Sequence, residues 1–175
     1  ALTTTQLRAL TTDQIGDLQT ADVAALSTVQ VAALTNAQVA ALTTAQIVGL
    51  TTAQVASLTT AQFSNLSTEQ VAAMETADLR AMSTAQIQAL TTEQIEALGS
   101  AQLNSLGSLQ IRALSSEQIQ AIETADLAAL SIANMGMMLD PQAGFFSTDQ
   151  VAALTTAQVA ALRTGQLSNF SSEQI

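Results

Sequence analysis

The sequence predicts an all-α chain, a tight solenoid of tandem octapeptide repeats with one short helical turn per repeat. Three observations carry this reading. One eight-residue unit recurs in a single register along all 175 residues. Every unit contains the chemistry of a helix start. The apolar positions of the unit cannot form a stripe on one continuous helix.

The register is plain from Leu42 to Ala89, where the units are LTTAQIVG, LTTAQVAS, LTTAQFSN, LSTEQVAA, METADLRA and MSTAQIQA. We label the octad a to h, with the leading Leu at a. Position a runs Leu2, Leu10, Leu18 and onward to Leu162 and Phe170; position f is apolar from Leu7 to Ile175. Position e is Gln nearly throughout, with Asp22, Asp78, Asp126 and Asn134 as the exceptions. Position h is mostly Ala, which permits close approach. Positions d and g vary freely and mark the solvent face.

A continuous helix fails because eight residues overshoot two turns by about 80°. The a and f residues would spiral around it and leave no buried face. A β-solenoid is the alternative, but Ala and Gln are poor strand formers, and the Gly/Asp turns of calcium-binding β-rolls are missing. The octad instead allows two helix-start frames. Position c is Thr, Ser, Asn or Asp in all copies but Ile132, which suits an N-cap. Position b is usually Thr or Ser with Gln three residues later, which suits a capping box whose a and f residues form a hydrophobic staple. Asp140–Pro141 reads as an N-cap followed by Pro at the first helical position, which favours c.

An octad buries two large apolar groups, roughly 1.5–3 kcal/mol each, against about 1–2 kcal/mol per residue of backbone ordering. No octad folds alone, so stability must come from stacking. Glu69, Glu93 and Glu117 share position d at a spacing of three octads, which points to three octads per coil; two is the alternative. The whole of 1–175 reads as one continuous array, with degenerate octads at 131–146. It starts at an h position and stops at an f position, so we expect a segment of a longer array.

Position e is almost never Glu, although a plain capping box takes Glu as readily as Gln. Gln also donates, which a carboxylate cannot. Gln38, Gln46, Gln54, Gln62 and Gln70 are therefore expected to form a structural ladder, each amide reaching a neighbouring backbone carbonyl or Gln. Where e is Asp, b is long: Gln19/Asp22, Glu75/Asp78 and Glu123/Asp126. That exchange is expected of side chains meeting across one helix start.

The stretch SIANMGMMLDPQAGFF comprises two octads without an insertion. Bulky Met137 and Phe145 stand at h, beside Met138 and Phe146 at a. We expect these four residues to mark a bend or a lateral contact.

A net charge of −10 and a pI near 4.1 argue against nucleic acid and against anionic membrane surfaces. No apolar run reaches the length of a membrane-spanning helix. The chain has no His, Cys, Lys or Tyr to act as nucleophile or base, so we expect no enzyme, no cofactor and no small-molecule substrate. Glu75, Asp78, Glu123 and Asp126 are the candidate metal ligands, as carboxylate pairs that could hold Ca²⁺ with backbone oxygens. Gln19/Asp22 fills the same slot without the second charge, so capping is the simpler account and no metal is expected. Arg8, Arg80 and Arg112 at g read as solvated charges, and Arg163 at b requires local adjustment. The Thr rows raise ice binding, but helix starts do not make a flat two-column hydroxyl array.

The octads LTTAQVAAL, LSTEQVAA and ETADLAAL resemble the repeat tracts of very large bacterial secreted or surface proteins, including adhesin-like ones of the repeats-in-toxin type. The resemblance covers essentially the whole chain. It implies an extracellular or cell-surface location. The function expected is that of a stalk, spacer or fibre able to self-associate end to end or laterally. A binding or adhesion module, using the repetitive outer face on ice, glycan or a cell-surface partner, is the alternative. A helical far-ultraviolet circular dichroism spectrum is expected; a β spectrum would overturn the fold.

Overall fold

The computed structural model describes residues 2–175, and all regular structure among them is helical. Helices of four to six residues follow one another, one per octad, from Thr4–Arg8 (α1) to Thr164–Leu167 (α21). No strand occurs among the described residues, and the β-solenoid alternative falls away.

The structure selects the b frame for the helix starts. Thr3, Thr11, Ser27 and Thr35 are N-caps with extended backbone, and each hydroxyl accepts from the backbone N–H of the e-position Gln. That Gln returns the bond to the cap's own N–H, which completes a capping box. The preference for c drawn from Asp140–Pro141 is therefore corrected. Leu139 is the N-cap there, and Asp140 and Pro141 are the first two helical residues. Pro is tolerated at both places because neither N–H has an intrahelical acceptor.

Each helix stops because the next start demands extended backbone. Leu34 and Leu58, at position a, leave the helical region with ψ of 145° and 139°. The following b residue stays extended, as an N-cap must be. No described residue has a positive φ, so the helices end without a left-handed glycine.

Within the compact parts of the chain, helices pack on the one three places further along. Thr4–Arg8 (α1) lies on Thr28–Ala33 (α4), and Thr12–Gly16 (α2) lies on Asn36–Ala40 (α5). Thr20–Ala24 (α3) lies on Thr44–Val48 (α6) in the same way. Three octads therefore make one coil. The chain forms two compact units, Ala1–Leu90 and Thr91–Ile175. The second repeats the rule, with Ser108–Ala113 (α14) on Ile132–Met137 (α17) and Asp140–Ala143 (α18) on α21.

The core of each unit is the f and a positions. Leu7, Val31, Phe63 and Ile87 at f are fully buried in the first unit, as are Ile95, Ile119 and Leu127 in the second. The a residues Leu42, Leu58, Leu106 and Ile122 close the core beside them. One h position has a steric reason for its residue: a Cβ on Gly49 would come within 2.1 Å of the Thr20 methyl group.

The degenerate stretch keeps the register and belongs to the second unit. Met138 and Phe146 are buried in its core, where they leave no lateral surface, and Met137 and Phe145 are half-buried. Ala143 occupies an f position that is elsewhere large. Met138 and Phe146 help line a small apolar cavity of about 20 Å³.

The two frames differ in a measurable way. Thr43→Ala removes a cap acceptor and is expected to cost about 1 kcal/mol, whereas Thr44→Ala, on the exposed c position, is expected to stay within about 0.5 kcal/mol. Denaturant unfolding of the two variants would check the difference, and the reverse order would return the N-cap to c.

Candidate functional site

The feature repeated most faithfully is the e-position amide. Gln46 shows its geometry. Its Oε1 accepts from the Thr43 backbone N–H at 2.7 Å, and its own N–H donates to the Thr43 hydroxyl at 3.2 Å. Its Nε2 donates to the carbonyls of Ile15 (3.0 Å), Gly16 (3.2 Å) and Leu18 (2.7 Å). Those carbonyls lie at the C-terminal end of α2, in the coil before. One side chain thus caps its own helix start and another helix's end, where the last carbonyls have no intrahelical donor.

The other ladder residues repeat the arrangement. Gln38 reaches Leu7 and Leu10, and Gln54 reaches Val23, Ala24 and Leu26. Gln62 reaches Val31, Ala32 and Leu34, and Gln70 reaches Val39, Ala40 and Leu42. All five glutamines are buried, and the acceptors are backbone carbonyls. In the second unit, Gln142, Gln150, Gln158 and Gln166 make equivalent bonds. A buried primary amide is tolerated here because both its ends are satisfied.

Departures from Gln show which half of the bond is needed. Asn134 is one methylene shorter. Its Nδ2 still donates to the Leu103 and Asn104 carbonyls, at 3.2 Å each. It does not reach the cap N–H of Ser131, which donates instead to Asn104 Oδ1 at 2.7 Å. Asn104, at g in the preceding coil, supplies the acceptor that the shorter side chain gives up. This pairing is absent from the octad pattern, although two Asn side chains at atypical positions were its only trace.

Arg163 makes a second adjustment. It has no hydroxyl for its helix start, and its guanidinium instead donates to the Gly136 and Met138 carbonyls and to Asp140 Oδ1, the last at 2.6 Å. Gly165 makes room for that carboxylate, since a Cβ there would lie 2.1 Å from Asp140 Oδ2. Arg112 is more than a solvated charge, because its Nε donates to the Met137 carbonyl of the next coil at 3.1 Å.

The acidic residues fall into two kinds. Glu69, Glu93 and Glu117 lie in first helical turns. Their own backbone N–H groups, then the hydroxyls of Ser67, Thr91 and Ser115, hold their carboxyls below the usual range. The ionised form favours the folded coil, and that contribution is lost as pH falls through the lowered value. Asp78 is different. It is 3% exposed, and burial pushes its carboxyl up although the Thr52 hydroxyl and the Glu75 N–H donate to it.

Of the four candidate metal ligands, Glu75 and Glu123 are exposed and Asp126 is half-buried. Glu75 and Glu123 are N-caps whose side chains make no cap bond, so capping does not account for their length. Among the described residues, no three His, Cys, Asp or Glu side chains come together as a ligand set.

Gln46→Glu keeps the acceptor and removes the donor. It is expected to cost about 3 kcal/mol near neutral pH by leaving buried carbonyls facing a carboxylate, and to cost less on acidification as the carboxyl regains a proton. Unfolding curves at several pH values check both parts; a loss independent of pH would count against the amide's role as donor.

No curated protein and no solved structure matches the chain. A family model described as the ALTTAQ repeat matches residues 15–52, 48–74, 71–108, 97–121 and 119–164. These segments together span the chain from Ile15 to Thr164. Short capped helices that stack by a repeated amide are the structural form of these octads, and the chain belongs to the ALTTAQ repeat family.

Proposed function

We propose that this repeat protein serves as a non-enzymatic spacer, forming an extracellular stalk or fibre. The observation that carries the reading is the ladder. Its amides are spent on joining one coil to the next, and their acceptors are backbone atoms that every octad supplies. Such a joint repeats without limit, so length follows copy number. The exposed d and g positions vary from octad to octad, which suits a surface without a single recognition motif. Extracellular placement and a bacterial adhesin-like setting rest on the likeness of the octads to secreted and surface repeat tracts. No described helix is long and apolar enough to cross a membrane.

Self-association end to end is a second reading. Within each unit a coil covers the apolar a and f residues of its neighbour, and the same kind of contact would join two copies stacked in register.

Duplicating residues 42–65 inserts one coil of three octads in register. Each such insertion is expected to raise the radius of gyration by a constant step, with melting temperature held or increased. Small-angle scattering and sedimentation on a series of insertions test this. A radius that fails to grow steadily would end the spacer reading, and a concentration-dependent sedimentation coefficient would favour end-to-end association.

A further inference from the structure

The Glu/Asp octads interrupt the ladder in one specific way. Elsewhere the e-position amide supplies the donor for the a-position carbonyl 28 residues earlier, as from Gln54 to Leu26, Gln62 to Leu34 and Gln150 to Ile122. At residue 78 the slot holds a carboxylate, which has no hydrogen to give. The carbonyl in that slot is Leu50's, and among the described residues no protein donor reaches it. Leu50 is only 6% exposed. At residue 126 the corresponding carbonyl is that of Leu98, which is 1% exposed and likewise receives no donor. Buried carbonyls without a partner are rare in folded proteins, and here two recur opposite an Asp.

The same residue types recur at the matching positions of both slots. Glu75 and Glu123 stand at b, at the helix start that each Asp shares. The f carbonyls that a Gln would also reach are those of Ile47 and Ile95, each with a single backbone donor of its own and a lone pair to spare. The c hydroxyl of the earlier coil is Thr52's at the first slot, where it meets Asp78, and Ser100's at the second. Two carboxylates, two carbonyls and a hydroxyl make an all-oxygen set of the kind that holds a hard divalent cation. An Asp is one methylene shorter than a Gln, so its carboxylate reaches less far towards the carbonyls than the ladder amide does.

We propose that each Glu/Asp octad binds one Ca²⁺ in the place of the missing amide, with Asp78, Glu75 and the Leu50 carbonyl at one site and Asp126, Glu123 and the Leu98 carbonyl at the other. The ion restores the joint between coils that Gln makes elsewhere. It also neutralises two carboxylates that stand three residues apart at one helix start. Asn134 provides the contrast. Its shorter side chain also leaves a buried a-position carbonyl, that of Leu106, without a donor. Ser131 stands at b there and Asn at e, so the slot has no charge to attract a cation.

The test uses the whole chain and its Asp78→Gln/Asp126→Gln variant, which puts the ladder amide back. Equilibrium dialysis is expected to find two Ca²⁺ per wild-type chain, and saturating Ca²⁺ to raise its melting temperature by about 5 °C. The variant is expected to fold without Ca²⁺, to bind none, and to melt at the same temperature with or without it. Absence of bound Ca²⁺ on the wild type would overturn the proposal. So would an equal rise in both proteins, since that is screening of the acidic surface.

Discussion

The structure depends on one primary amide used from both ends. The oxygen of each e-position Gln closes a capping box, and its nitrogen closes the C-terminal turn of a helix in the preceding coil. Helices of four to six residues do not persist in water, because nucleation is costly and most of their backbone groups have no intrahelical partner. Here the helix length stops mattering. One end is satisfied from within the octad and the other from the next coil, so the unpaired groups that make short helices unstable are used to bind coils together. The apolar f and a residues contribute the burial, and the amide fixes where each coil sits.

That division explains which positions tolerate change. Cap hydroxyls are absent at Gly99, Gly107, Leu139 and Arg163, yet in each case the cap N–H still donates to the Gln below it. The hydroxyl is the dispensable half of the box. The amide is replaced at fewer positions, and at Asn134 half of its work is taken over, since Asn104 supplies the acceptor that Asn134 does not present to Ser131. A capping interaction is usually worth about 1 kcal/mol. An unsatisfied buried group costs about 1–3 kcal/mol. The stricter position is thus the one whose loss leaves buried carbonyls open.

Much of this was legible in the sequence. The octad, the helical class, the inward f and a positions and three octads per coil follow from periodicity and the spacing of Glu69, Glu93 and Glu117, and the structure has them. The choice between the b and c caps was not legible, because Thr and Ser occupy both and Asp140–Pro141 suits either start. The burial of Met138 and Phe146 followed from their position at a, but the excess of bulk in that stretch pointed outward instead. The Asn104–Ser131 and Arg163–Asp140 bonds join residues of different coils, and no pattern within an octad records them. Donor-less carbonyls at Leu50 and Leu98 are equally invisible to pattern reading, since backbone atoms carry no letter in the sequence.

Because the ladder's acceptors are backbone carbonyls, the joint does not read the side chains it joins. A duplication or loss of whole octads by unequal recombination would therefore present each amide with the same acceptors as before. Arrays of this type can change length genetically without inventing new contacts. The exceptions are the contacts of particular side chains: Asn104, which accepts from the Ser131 backbone N–H, Arg163, which pairs with Asp140, and Thr20, which fits against Gly49. These act as register marks. They hold a few coils in fixed relation and would record, in any related array, which octads have moved together.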